Sequence, residues 1–77
     1  MTNTRVAADS VALTVNGSRR ELAAGATVAD LLRELEIDPR MVVVEHNREI
    51  LRHREVHGSR VLADGDTVEI VHFVGGG

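Results

Sequence analysis

Hydrophobic and polar positions change period several times along the chain, and each change marks an element. Val11, Leu13 and Val15 alternate with Ala12 and Thr14, the two-residue period of a half-buried strand. Asn16-Gly17 follows, a pair suited to the positive φ angles of a tight hairpin turn. A two-residue loop there sets Val15 opposite Ser18, Leu13 opposite Arg20 and Val11 opposite Leu22. Leu22 then falls on the buried face. Arg20 falls there too, and its guanidinium must reach past the sheet edge to water.

Gly25-Ala26 interrupts the strand period, and Thr27 to Asp30 reads as a helix start, with a hydroxyl cap and an acid three positions on. Val28, Leu31, Leu32 and Leu35 form one apolar stripe at helical spacing, with Arg33, Glu34 and Glu36 on the other face. Asp38-Pro39 is expected to end this helix after about three turns, since the residue before proline is pushed out of the helical region. Met41 to Glu45 reads as a strand, Asn47-Arg48 as a turn and Glu49 to Arg52 as a short strand. Residues 53–60 are polar and mixed, a loop or a single helical turn, and Val61-Leu62 is expected to anchor the chain. Asp64-Gly65-Asp66 is a tight turn before a last strand from Thr67 to about Val74.

One helix and four or five strands must bury each other's apolar faces, which predicts an α+β domain of ββαββ order with the helix on one side of a mixed sheet. The division expected is a flexible leader over residues 1–9, a domain over 10–74 and a flexible tail over 75–77. Strand alternation points Val42, Val44, Val68 and Ile70 toward the helix. It points Met41, Val43, Glu45, Glu69, Val71 and Phe73 away from it. Val43, Val71 and Phe73 should therefore gather into an exposed apolar patch beside Val74 and the tail, and a contiguous patch of this kind marks a partner surface.

Composition narrows the chemistry. At 77 residues the chain is one domain. No apolar run is long enough to span a bilayer and residues 1–9 lack the core of a secretory signal, so the cytoplasm is the expected location. A net charge of −3 and a single aromatic residue leave no basic stripe for phosphates and nothing to stack on bases, which argues against nucleic acid. There is no cysteine, hence no disulfide, thiolate ligand or cysteine nucleophile, and all nine basic residues are Arg. No nucleophile–base pair and no phosphate-cradling loop stands out, so the chain is not expected to be an enzyme or to bind a cofactor of its own. His53 and His57 lie four apart, but without a carboxylate at a telling offset no metal site is expected.

The chain ends on Val74-Gly75-Gly76-Gly77. A terminal glycine run is commonly no more than a frayed end. It also presents a main-chain carboxylate on a stem slim enough to enter a channel that excludes side chains. The body to which it is attached decides between the two.

Val15-Asn16-Gly17, Gly25-Ala26-Thr27-Val28 ahead of the helix, Val42-Val43-Val44-Glu45-His46-Asn47, Asp64-Gly65-Asp66 and the glycine ending, in this order, resemble the ThiS family of sulfur carriers of thiamin biosynthesis. The resemblance runs over residues 11–77 and implies a β-grasp, ubiquitin-like fold. It implies that the tail Gly75, Gly76 and Gly77 is the carrier arm and that sulfur is attached at the Gly77 carboxyl carbon. An ATP-dependent activating enzyme would adenylate that carboxylate, a sulfur-donor protein would help convert it to a thiocarboxylate, and thiazole synthase would receive the sulfur. Val43, Val71, Phe73 and Val74 would meet these partners. The family commonly ends in two glycines and this chain in three, so Gly75 either lengthens the arm or shifts its register. The same features also suit a molybdopterin-synthase small subunit, another ubiquitin-like carrier or modifier, or a β-grasp interaction module with an inert tail.

Overall fold

The computed structural model describes residues 9–73. Five strands form one sheet: β1 (Ser10–Val15), β2 (Ser18–Ala23), β3 (Val42–His46), β4 (Glu49–Leu51) and β5 (Thr67–His72). One helix, α1 (Val28–Glu34), lies between β2 and β3 in sequence. The strand order is β2-β1-β5-β3-β4. The last strand is therefore central. It runs parallel to β1 and antiparallel to β3, while β1–β2 and β3–β4 are antiparallel hairpins. This is the ββαββ arrangement of the β-grasp fold. No helix among the described residues is long and apolar enough to cross a membrane.

The first hairpin has the predicted register, with Val11 opposite Leu22, Leu13 opposite Arg20 and Val15 opposite Ser18. Asn16 and Gly17 take φ of 49° and 85°, the turn in which both central residues are left-handed and whose twist matches the strands. Leu22 is buried and Arg20 exposed, because β2 is the sheet edge and its inward row meets water there. The second hairpin turns on Asn47 and Arg48 at φ 50° and 73°.

The helix begins as predicted. Thr27 Oγ1 accepts from the Asp30 N–H and Asp30 Oδ2 accepts from the Thr27 N–H, a reciprocal capping box. It ends earlier than predicted, after seven residues rather than three turns. Leu35 is the cap and Glu36 takes φ of 60°. The Glu36 N–H donates to the Arg33 carbonyl and the Ile37 N–H to the Leu32 carbonyl, a Schellman closure normally built on glycine. Ile37 thereby folds back onto the core. The helix thus stops before proline acts: Asp38 caps a separate short turn, Pro39–Met41, which takes Met41 out of the predicted strand.

The helix stripe behaves as expected, with Val28, Leu31 and Leu32 buried and Leu35 packed at the margin. They meet Leu13, Val15, Val44, Val68 and Ile70 from the sheet in a single core closed by Leu51 and Leu62. Full burial of one such side chain stabilises by about 1.5–3 kcal/mol, so this core supplies the main favourable term for a chain this short. Val61, expected as an anchor beside Leu62, is instead exposed; only its backbone is engaged, in a bridge to Thr27. Residues Arg54–Val56 form one short helical turn.

Candidate functional site

The end of β5 is where the sequence places the chemistry, and three features fix it. The first is its central position. On one side Val71 pairs with Val43, Ile70 with Val44 and Glu69 with Glu45, and the Phe73 N–H donates to the Met41 carbonyl at 2.9 Å. On the other side β1 pairs with β5 only at Thr67 and Val68. Beyond that point a side chain takes over from the missing strand. Asn16 Oδ1 accepts from the Ile70 N–H at 2.7 Å and Asn16 Nδ2 donates to the Ile70 carbonyl at 3.2 Å, so one primary amide mimics a peptide unit. The turn asparagine thus extends β5 pairing toward its outgoing end.

The second feature is a buried polar lock at the incoming end of β5. Asp66, in the turn before the strand, accepts from His46 Nε2 at 2.7 Å, from the Ala63 N–H at 2.8 Å and from Asn47 Nδ2 at 3.0 Å. Asn47 also brackets Thr67, accepting its N–H on Oδ1 and donating its own N–H to the Thr67 carbonyl. Asp64 Oδ1 accepts from the Ala12 N–H, which ties the same turn to β1. Burial pushes the Asp66 carboxyl upward, but the hydrogen bonds from Asn47, Ala63 and His46 outweigh it and hold the group below its ordinary range. An ionised Asp66 only accepts, so Nε2 of His46 carries the proton. The other ring nitrogen, Nδ1, is buried without a partner among the described residues.

The third feature is the outer face of the sheet. Val71 and Phe73 are 62% and 56% exposed, Val43 beside Val71 is half-buried, and Met41 and Ile50 are also exposed. The predicted patch of Val43, Val71 and Phe73 thus forms on the side of the sheet away from the helix. Val74, Gly75, Gly76 and Gly77 lie outside the described residues, as do positions 1–8 of the leader.

The histidines are separated in space and environment. His46 is buried in the lock, His53 and His72 are exposed, and His57 is buried at the end of the short helical turn. Desolvation, with Arg54 nearby, pushes the His57 imidazole below its ordinary value. No group of three or more His, Cys, Asp or Glu is placed to share a metal among the described residues.

Sequence reasoning missed both polar devices. His46 had a signal: the inward positions Val42 and Val44 continue to 46, so the histidine must point into the protein. Asn16 gave none beyond its role in the turn.

Comparison with known proteins bears on the same residues. The ThiS family model matches residues 13–77, from the first strand through the glycine run. The chain belongs to the ThiS family. A sulfur carrier protein ThiS of Bacillus subtilis is 45% identical over 51 residues, covering 66% of this chain and 76% of that protein. A thiazole synthase of Paramagnetospirillum magneticum is 45% identical over 65 residues, covering 84% of this chain. This ThiS-family chain spans 20% of the length of that synthase and 19% of a second one, from Magnetococcus marinus. Among solved structures, a thiamine biosynthesis protein ThiS from Geobacter metallireducens superimposes with a TM-score of 0.74 at 38% identity, covering 87% of this chain and all of that one.

Proposed function

We propose that this chain is a sulfur carrier for thiazole formation in thiamin biosynthesis, with the Gly77 carboxyl carbon as the point of sulfur attachment and Gly75, Gly76 and Gly77 as the arm. The observation that carries the reading is the continuity of the ThiS family match through the glycine run, joined to a central strand whose outer face is apolar at its outgoing end.

A free carboxylate is a poor acyl donor. Attack of the carboxylate oxygen on the α-phosphorus of ATP gives an acyl-adenylate and releases pyrophosphate. Sulfide then expels AMP to leave the thiocarboxylate, or a persulfide expels AMP to give an acyl disulfide from which a thiol reductant releases it. ATP supplies the energy, the activating enzyme the catalytic groups, and a sulfur-donor protein the sulfur. The carrier needs only a presentable end and a surface that is recognised, which makes it a protein co-substrate rather than an enzyme. The described residues suit that division of labour: the lock around Asp66 and the Asn16 amide hold β5 in register at both ends. Val43, Val71 and Phe73, with Val74, form the docking surface for the activating enzyme and for thiazole synthase. ATP-dependent activation puts the work in the cytoplasm.

The test is reconstitution of thiazole formation with activating enzyme, sulfur donor and thiazole synthase. Full-length chain should support turnover, a chain lacking Gly76 and Gly77 should not, and Phe73→Ser should fold normally yet turn over slowly. Equal turnover by the shortened chain would refute the carrier role. Transfer to a molybdopterin-synthase large subunit in place of thiazole synthase would reassign the pathway.

A further inference from the structure

Charge is segregated along the β3–β5 pair. Glu45 and Glu69 face each other across β3 and β5 at one end. At the other end, beside Phe73, a groove of about 260 Å³ is lined by Arg40, Arg52 and Arg54, with Val43 and Phe73 on its apolar wall. Arg52 follows directly after β4, whose last pair is Leu51 with Val44, and it lines the groove together with Val43, the partner of Val71. In a chain of net charge −3, three guanidiniums at one groove are a local reversal of sign. Arg40 is engaged by Asp38 at 2.8 Å. Among the described residues Arg52 and Arg54 form no direct ion pair, nor do Arg20 and Arg48, and Arg54 lies close enough to Asp38 to help hold its carboxyl below the ordinary range. His57 also lines the groove and is buried.

We propose that this groove receives a carboxylate-bearing segment of thiazole synthase, an Asp or Glu side chain flanked by an apolar residue, with Arg52 and Arg54 as the groups that select it. The inference rests on the carrier reading above and deepens it. Three arguments support it. Two guanidiniums with no direct ion pair among the described residues, beside an apolar wall, suit an occupant both anionic and apolar, and arginine recognises carboxylates through fixed donor geometry. The groove shares Val43 and Phe73 with the docking patch, so a partner seated on one covers the other. Relatives that carry this domain and thiazole synthase in one polypeptide make that enzyme the partner to which the surface is fitted. The arginines would then set the orientation of docking and the rate of encounter, while the apolar patch sets residence time.

The experiment is binding of the full chain to purified thiazole synthase at several salt concentrations, for wild type, Arg52→Glu/Arg54→Glu, Arg52→Lys/Arg54→Lys and Phe73→Ser, each checked for folding by far-UV circular dichroism. Wild-type affinity should fall as salt rises. The charge-reversed chain should bind at least about ten-fold more weakly at low salt and lose that salt dependence, while the lysine chain keeps it in part. Phe73→Ser should weaken binding and retain the full salt dependence. Wild-type affinity and salt response in the charge-reversed chain, with Phe73→Ser weakened, would overturn the groove and leave the carrier reading standing. In the same titrations run against the activating enzyme, a loss on charge reversal confined to that enzyme would overturn the assignment to thiazole synthase. No binding of wild type to thiazole synthase would remove the carrier reading and the groove together.

Discussion

Replacing Asp66 by Ala is the perturbation from which the structure predicts the largest effect outside the apolar core. Asp66 accepts three hydrogen bonds, and they come from three separate segments: the His46 ring at the end of β3, the Asn47 amide in the following turn and the Ala63 N–H ahead of β5. A neutral hydrogen bond contributes about 0.5–1.5 kcal/mol and one to a charged group about 1.5–3 kcal/mol. The His46 side chain is only 7% exposed and already has Nδ1 unpartnered, so truncation leaves the ring without any partner among the described residues. The expected loss is about 3–5 kcal/mol. Domains have about 0.05–0.15 kcal/mol of stability per residue, or roughly 4–12 kcal/mol for a chain of this length. Asp66→Ala should therefore be marginally folded. The chain has neither Trp nor Tyr, so the assay is urea unfolding followed by far-UV circular dichroism. With a slope of about 1 kcal/mol/M, the midpoint should drop by roughly 3 M or the transition should disappear. A His46→Ala/Asp66→Ala double variant should cost less than the sum of the two single changes by about 0.5–3 kcal/mol. A midpoint shift below about 1 M for Asp66→Ala would show that the lock does not hold β5, and the reasoning would fail.

Other outcomes follow from single residues. Glu36 holds a left-handed conformation that costs an L-residue about 1–2 kcal/mol, so Glu36→Gly should raise the urea midpoint; an unchanged or lower midpoint would contradict the Schellman assignment. Asn16→Gly keeps the turn but removes both amide bonds to Ile70, and should cost about 1–2 kcal/mol and speed hydrogen exchange at the Ile70 N–H, with the core of α1 unaffected. The Asp66 carboxyl is depressed in the folded state, so its contribution is fully present above its unfolded pKa near 3.8 and is lost as pH falls through the lower folded value. Stability measured from pH 6 to pH 2 should accordingly fall more steeply below pH 4 in wild type than in Asp66→Asn, and parallel curves would count against the assignment.

The elements legible in the sequence were those dictated by local chemistry. Asn16-Gly17 set the first hairpin and its register, Thr27 and Asp30 set the helix start, and strand alternation placed Val68 and Ile70 inward and Val71 and Phe73 outward. Errors arose where a tertiary contact outranked the local signal. The helix was expected to run to Asp38-Pro39, but packing of Ile37 onto the core favours an earlier turn even with Glu36 at positive φ. Val61 reads as an anchor because it is apolar, whereas of the pair Leu62 is buried and Val61 exposed. The Asp66 lock and the Arg52–Arg54 groove join residues distant in sequence, and no spacing along the chain encodes such a meeting. The role expected of Gly75, Gly76 and Gly77 rests on resemblance, since glycine states where side chains are absent and not what the carboxylate does.

The central claim is that sulfur is carried on Gly77, and intact mass tests it most directly. The full chain is incubated with the activating enzyme, ATP and either sulfide or a persulfide with a thiol reductant, and its mass is compared before and after. The account predicts an increase equal to the exchange of one oxygen for sulfur, absent without ATP and absent when Gly77 is deleted. An unchanged mass in the presence of an enzyme that demonstrably activates another ThiS protein would contradict it.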